Sequence, residues 1–432
     1  MTKAFGHGQR VTLAAMAIVI LAALNVQPLR ASTVSVGTCV TGGAHYTTIQ
    51  AAVTAVTAGS TIEVCPGNYP EQVVIAKNLT LKGVTSGSAQ NPTLVVPGAG
   101  FAANATTLSG GSLATQIEVE SPATAVTISY LAVDGTGNNL NSGCNAARLV
   151  GIFFKSASGT LNYVVARNQA QNTANFSCGD SAGLGIFVES AGTATPATVT
   201  IKNSTVYGFQ KNGITANETG TTVTLNNNSV IGAGPVDIAQ NSIQIGYGAT
   251  GTVENNTVGD DVFNGDPSAG TGSGILVYDS GNLSITGNSV AFTQGGIVIA
   301  TDGNQTDNDN TLTNNQVVNT QVGDGIDLCS NGNTVTSNTV FSASQSGIHL
   351  DSSCVAASIG SNNTVSKNVV NDACAGILLG SGTGNTFPTA NTYANVANTT
   401  LAGDTCTPVI VPEALVKNTV SSAGHNSAPA RP

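Results

Sequence analysis

The chain has no tryptophan, only two methionines and 4% aromatic residues. Charged residues make up 8% of it, against about a quarter in an ordinary globular domain. With so little Glu, Lys and Arg, the chain is short of helix formers. Basic residues are scarcest of all, with no Lys or Arg between Lys211 and Lys367 while thirteen Asp or Glu fall there. Together with a net charge of −10 and a pI of 4.6, this excludes nucleic acid as a partner, because holding phosphates takes clustered bases. The one long apolar run occupies residues 11–24, so a polytopic membrane protein is excluded too. Disorder is excluded by the 41% of hydrophobic residues, which are enough to bury a core.

What is abundant is Gly, with 51 residues, and Asn. Lys3 and Arg10 precede the apolar run, and Leu29-Arg30-Ala31 ends in a small residue, the pattern of a secretory signal peptide over residues 1–31. The mature chain is then secreted, to the extracellular space, periplasm or cell surface, with no membrane insertion once the signal is removed. Eight cysteines lie beyond residue 31, and none shows the CxxC spacing of zinc or redox sites.

A Gly-Ile signature recurs at Gly151-Ile152, Gly185-Ile186, Gly213-Ile214, Gly274-Ile275, Gly296-Ile297, Gly325-Ile326, Gly347-Ile348 and Gly376-Ile377, with Ser242-Ile243 filling the gap. Successive starts are 22 to 34 residues apart. A second signature, Thr-apolar-x-x-Asn-x-Val, alternates with it, as at Thr224 to Val230 and Thr334 to Val340. Both have the period of two of a strand with one face buried, and polar turn residues follow each. Strands recurring at this interval predict a solenoid, and the absence of leucine-rich or propeller signatures leaves a parallel β-helix. In that fold Ile stacks on Ile and Asn on Asn at about 4.8 Å, and the Asn column forms a hydrogen-bonded ladder.

Pairing the cysteines in order, Cys39 with Cys65, Cys144 with Cys178, Cys329 with Cys354 and Cys374 with Cys406, gives separations of 26, 34, 25 and 32. Each is about one coil, the spacing at which neighbouring coils bring Cα atoms within disulfide reach. Thr48 to Thr57 is the best helix candidate of the mature chain, and its place before the first coil makes it the cap of the open sheet edge. The expected organisation is a signal peptide (1–31), a β-helix domain (32–407) and a C-terminal cap with a disordered tail (408–432).

The strings Tyr46-Thr-Thr-Ile-Gln-Ala-Ala-Val, Gly59-Ser-Thr-Ile-Glu-Val-Cys-Pro-Gly-Asn-Tyr-Pro-Glu and Lys77-Asn-Leu-Thr-Leu-Lys-Gly resemble the opening of secreted right-handed parallel β-helix proteins of the pectate-lyase-like superfamily. With the later repeats, the resemblance covers most of residues 45–390. The N-terminal coil is most similar to pectin methylesterases, but the catalytic strings of that group and of polygalacturonases have no counterpart here. What the resemblance implies is the fold, not one activity.

With Ile pointing inward, the third position of each signature points outward: Phe153, Phe187, Thr215, Gln244, Leu276, Val298, Asp327, His349 and Leu378. Lys155, Glu189, Tyr278 and Asp351 belong to the next outward column. Phe153, Phe187, Gln244 and Tyr278 are the candidate sugar-binding residues. Asp327, His349 and Asp351 are the candidate catalytic group, with the Cα atoms of the two carboxylates about 8 Å apart by strand rise and spacing. Asp302, Asn304, Asp307 and Asp309 offer the hard oxygen ligands that suit calcium, the one cofactor expected, and Asp260, Asp261 and Asp266 form a second acidic stretch. Two functions are consistent with these features. One is a polysaccharide-binding protein that also cleaves its ligand, as lyase or glycoside hydrolase; the other is a non-catalytic structural or adhesive β-helix of the cell surface or extracellular matrix.

Overall fold

The computed structural model describes residues 31–85, 92–140, 146–171, 183–266, 270–301, 308–354 and 359–406. The signal-peptide segment, the C-terminal tail and the Cys144–Cys178 pair lie outside the described residues.

One coil shows the plan. The strands Thr221–Asn226, Ser229–Val236 and Asn241–Gly246 follow one another. Each pairs in parallel with its counterpart in the next coil, Thr222 with Thr250, Val230 with Val258 and Ile243 with Ile275. The first strands of successive coils make a 13-stranded sheet, and the second and third strands belong to a 23-stranded sheet. Among the described residues only one ladder is antiparallel, a short hairpin that pairs Ala105–Thr106 with Ser112–Glu120. The chain is therefore a parallel β-helix.

The period-two pattern decides which side chains go inside. Ile117, Ile152, Ile186, Ile214, Ile243, Ile275, Ile297, Ile326, Ile348 and Ile377 stand in unbroken register up the third strands, each no more than 1% exposed. Val206, Val230, Val258, Val290, Val317, Val340 and Val370 do the same on the second strands. A column of Ile, Leu and Val from Ile62 through Leu161, Leu225 and Val253 to Leu312 lines the first. Full burial of each such side chain contributes roughly 1.5–3 kcal/mol.

Between the first and second strands the chain turns a buried corner, where the backbone amides have no water to bond. The Asn of the second signature satisfies them. Asn256 donates its backbone N–H (2.9 Å) and its Nδ2 (3.0 Å) to Asn288 Oδ1, and its Nδ2 also reaches Leu225 O at 3.1 Å. The same three bonds recur at Asn228, Asn288, Asn315, Asn338 and Asn368, the column ending on Asn391. The preceding residue is left-handed, with φ of 57° at Asn227, 55° at Asn255 and 56° at Asn314, a conformation Asn tolerates better than most residues. A second left-handed column, absent from the sequence reading, follows the Val column at Asp260, Phe292, Asn319, Ser342 and Asp372 and turns the chain into the third strand.

The helix Ile49–Ala55 sits where the cap was expected. Thr48 is its N-cap, accepting from Ala51 N at 3.1 Å, and the Glu71 carboxylate accepts from Ile49 N (2.7 Å) and Gln50 N (2.9 Å). Ile49, Ala52 and Val53 are buried in the same core as the first coil. Disulfides join Cys39 to Cys65, Cys329 to Cys354 and Cys374 to Cys406, with Cα separations of 5.7, 6.0 and 6.1 Å.

Asn288→Ala is predicted to destabilise the fold by about 2–5 kcal/mol, because it removes the shared acceptor of two buried Asn256 donors and strips Val253 O of its donor. Ile275→Ala should cost a similar 2–5 kcal/mol through the cavity it leaves. Urea midpoints of the two variants, at unchanged slope, check both values.

Candidate functional site

The outward column reads in the order expected, Phe153, Phe187, Thr215, Gln244, Leu276, Val298, Asp327, His349, Leu378. What differs is the covering. The hairpin Ala105–Glu120 closes the N-terminal end, so that Phe153 is 0% exposed, stacked on Phe187 at 5.0 Å and packed with Leu113, Val150 and Leu184. Phe153 is thus a core residue and not part of a sugar-binding surface. At the other end Leu378 is buried against Leu401 and the Cys374–Cys406 disulfide. The apolar strip is exposed only in its middle.

There it forms the floor of a cleft of about 790 Å³. Phe187, Gln244 and Tyr278, three of the four predicted binding residues, line it together with Leu276, Tyr247 and Glu189. Tyr247 and Tyr278 meet edge to face at 5.5 Å. Asn241 donates to Asn212 Oδ1 (3.0 Å), and Asn212 in turn to Gln244 Oε1 (2.9 Å), so the polar floor is held by the ladder. Arg148, Lys211, Glu218 and Asp237 also line the cleft and give it charges of both signs.

Glu189 was read only as an outward side chain, yet it is 3% exposed, because Leu108 of the hairpin closes over it and donates its N–H at 2.7 Å. Burial first, and then the charge of Glu218, push its carboxyl up to about 7 against the pull of Leu108 N–H and Lys155. Glu118 is likewise raised to about 7 by burial and by Glu120, with Lys155 opposing.

The predicted catalytic trio does come together, with two further carboxylates. His349 is 3% exposed. Its Nδ1 lies 3.1 Å from Asp324 Oδ2 and 3.8 Å from Asp327 Oδ1, and its Nε2 lies 3.9 Å from Asp351 Oδ1 and 3.8 Å from Asp404 Oδ1. Burial disfavours the imidazolium, but the hydrogen bond with Asp324 and the charges of Asp324, Asp327 and Asp351 outweigh it and raise His349 to about 9. Asp327 is pushed well above the ordinary carboxylate range by burial, then by Asp324 and Asp351, with His349 opposing. Asp324 is fixed by Ser346, whose N–H and hydroxyl donate to Oδ1 at 2.8 and 2.6 Å. Asp351 Oδ1 accepts from Ser353 N and Oγ at 2.6 and 2.7 Å, and its Oδ2 lies 3.2 Å from both sulfurs of the Cys329–Cys354 disulfide.

Asp324 and Asp404 escaped sequence reasoning. Asp324 had a signal: it occupies the place just before Gly-Ile, which is Asn212, Asn241, Ser273 and Ser346 in other coils. Asp404 had none, since it follows the strand Thr392–Ala402, which lacks the signature. Of the calcium-suited loop, Asp302, Asn304 and Asp307 lie outside the described residues, and Asp309 is an exposed turn residue with φ of 62°. The second acidic stretch is no open loop: Asp260 and Asp261 lie in the strand Thr257–Phe263, and Asp261 is fully buried, accepting from Ser242 Oγ at 2.6 Å.

Comparison with known proteins agrees with this architecture. The family described as right-handed beta helix region matches residues 184–355 and 236–393. No curated protein matches the chain. Among solved structures, the Dettilon tailspike protein (gp208) is similar at a TM-score of 0.53 and 17% identity, over 78% of this chain and 62% of that one, so the chain spans about three fifths of the tailspike's length. The A-module of the Azotobacter vinelandii mannuronan C-5 epimerase AlgE6 is similar at 0.53 and 14% identity, over 83% of this chain and 92% of that one. At these identities the likeness is one of fold.

Glu118 and Glu189, both raised to about 7, set a pH dependence. A carboxyl whose folded pKa lies above its unfolded 4.5 costs stability as pH rises from 4.5 and stops adding to that cost once pH passes the folded value. Stability should therefore fall between pH 4.5 and about 7, and Glu189→Gln should flatten that slope. Thermal melts of wild type and variant across this range check the sign.

Proposed function

Given that the chain is a right-handed parallel β-helix protein, we propose that it is secreted and binds polysaccharide along the outward face of its third strands. The observation that carries this reading is the cleft of about 790 Å³ in the middle of that face, where Tyr247, Tyr278 and Leu276 offer apolar surface beside Gln244, Asn212 and charges of both signs. Aromatic rings next to planar amides suit a sugar ring, which is apolar on its faces and hydroxylated at its edges. The similar fold from Azotobacter vinelandii is named for action on mannuronan, itself a polysaccharide. Disulfides fit an oxidising compartment, and among the described residues no helix is long and apolar enough to cross a membrane.

Cleavage is the finer part of the proposal. Gln244 and Asp327 are three coils apart in one column, about 14 Å at the spacing of parallel strands, so a glycan lying in the cleft and continuing along the sheet reaches the aspartate cluster. There Asp327, on the outward face, is the candidate acid, Asp351 the base and His349 the residue that orders their charges, in a hydrolase or lyase. One observation favours the non-catalytic reading instead: Asp351 is held by Ser353 and His349 by Asp324, contacts that fix side chains in place.

Screening the purified protein on a polysaccharide panel, with binding and product formation read separately, decides between them. Tyr278→Ala should weaken binding of any glycan found by about tenfold or more. Asp327→Asn should lower any cleavage by roughly 10²–10⁴-fold with binding unchanged. Wild-type affinity in Tyr278→Ala would remove the cleft from the reading, and undiminished cleavage in Asp327→Asn would remove the aspartate cluster.

A further inference from the structure

The Nε2 atom of His349 is fully buried and makes no hydrogen bond, although the ring is otherwise fixed. It points at the carboxylate oxygens of Asp351 and Asp404, 3.9 and 3.8 Å away, and the three atoms lie within 4.8 Å of one another. These gaps are too wide for hydrogen bonds and close to what a shared ion needs. Zinc bonds of about 2.0–2.2 Å to nitrogen and oxygen in a tetrahedron place ligand atoms roughly 3.4 Å apart, so the two gaps from Nε2 have about half an ångström to close. Asp404 can supply that movement: its side chain is 33% exposed, it follows the end of the strand Thr392–Ala402, and the bonds its Oδ1 accepts from Ser352 N and Oγ are long, at 3.3 and 3.1 Å.

A second feature points the same way. The other ring nitrogen, Nδ1, lies 3.1 Å from the Asp324 carboxylate, itself fixed by Ser346. A carboxylate that accepts a hydrogen bond from Nδ1–H turns Nε2 toward the other two aspartates, the usual arrangement behind a metal-binding histidine, and an ion bound there replaces the Nε2 proton. Nε2 faces two carboxylates, and apart from His349 the sequence offers no Lys, Arg or His between Lys211 and Lys367 to neutralise them.

We propose that His349 Nε2, Asp351 Oδ1 and Asp404 Oδ1 form a site for a divalent transition-metal ion of the zinc class, with Asp324 as the residue that orients the imidazole. The imidazole selects against calcium and magnesium, which take oxygen ligands, and three protein ligands leave an open position toward solvent at Asp404. Its residues are not those of the calcium-suited loop at Asp302 to Asp309, and it does not depend on glycan binding by the cleft, although a bound ion would take His349 and Asp351 out of their roles in the cleavage reading. The ion would tie the segment after the strand Thr392–Ala402 to the coil that carries His349, beside the Cys329–Cys354 disulfide.

The test is calorimetric titration of the chelator-stripped full chain with Zn²⁺, and with Ca²⁺ as the comparison, in the absence of any glycan. The expected result is one zinc site per chain that calcium at equal concentration does not fill. His349→Gln should abolish it, and Asp404→Asn should weaken it by tenfold or more. Asp324→Asn should weaken it by about 10–100-fold without abolishing it. Circular dichroism establishes that each variant is folded; if His349→Gln is not, Asp404→Asn decides. No stoichiometric zinc binding by the wild type, or the same affinity in Asp404→Asn, would overturn the proposal. Glycan binding by the cleft, measured in chelator, remains a separate readout, so either reading can fail without the other.

Discussion

The buried corner between the first and second strands of each coil is the constraint on which the structure depends. A backbone turn that faces no water must find partners inside, and a carboxamide is the side chain that offers an acceptor and two donors at once. In the column from Asn228 to Asn391 each Asn serves the coil before it and is served by the coil after it. The bonds close only if successive coils keep one register. That explains why the step between coils varies from 22 to 34 residues while the spacing from Asn to Val never changes. Length is added where the chain leaves the sheets, never at the corner.

A fixed register makes the outside of the sheet as ordered as the inside. Because side chains alternate, a slip of one residue would bring Asp327 and His349 into the core and turn Ile326 and Ile348 outward, so the hydrophobic columns position the polar ones. His349 opposite Asp327 is therefore a consequence of Ile348 opposite Ile326. The same logic sets the cleft floor, where Thr215, Gln244 and Leu276 follow one another at the coil spacing.

This is also why so much was legible in the sequence. Ile, Val and Asn columns and the outward order from Phe153 to Leu378 are properties of a repeat, and a repeat can be read from one chain; the helix at Ile49–Ala55 lies before the repeat and was legible from its own local sequence. Contacts that segments outside the repeat make with the coils were not legible. Phe153 sits in the right column, but the hairpin Ala105–Glu120 that buries it has no counterpart in other coils. Asp404 joins His349 through a strand that carries no Gly-Ile pair. Asp324 stands one place before a signature, in a position that holds Asn or Ser in several other coils, and its contact with His349 appears only when the next coil is stacked on it.

The non-repeating pieces are the ones that make the face chemically uneven. A bare solenoid exposes the same ladder along its whole length, and charges on it would be solvated. The hairpin at one end closes over Glu189 and carries the buried Glu118 in its own strand, and the C-terminal strand with its disulfide is part of the end where His349 is buried and Asp327 half-buried. Desolvation without full neutralisation is costly, and it is retained most often where a site uses it. A long column of stacked isoleucines and a hydrogen-bonded Asn ladder give the fold stability to carry such groups. Coil repetition therefore supplies the rigidity, and the two coverings decide where along the sheet the polar groups are held in a state that water would not allow.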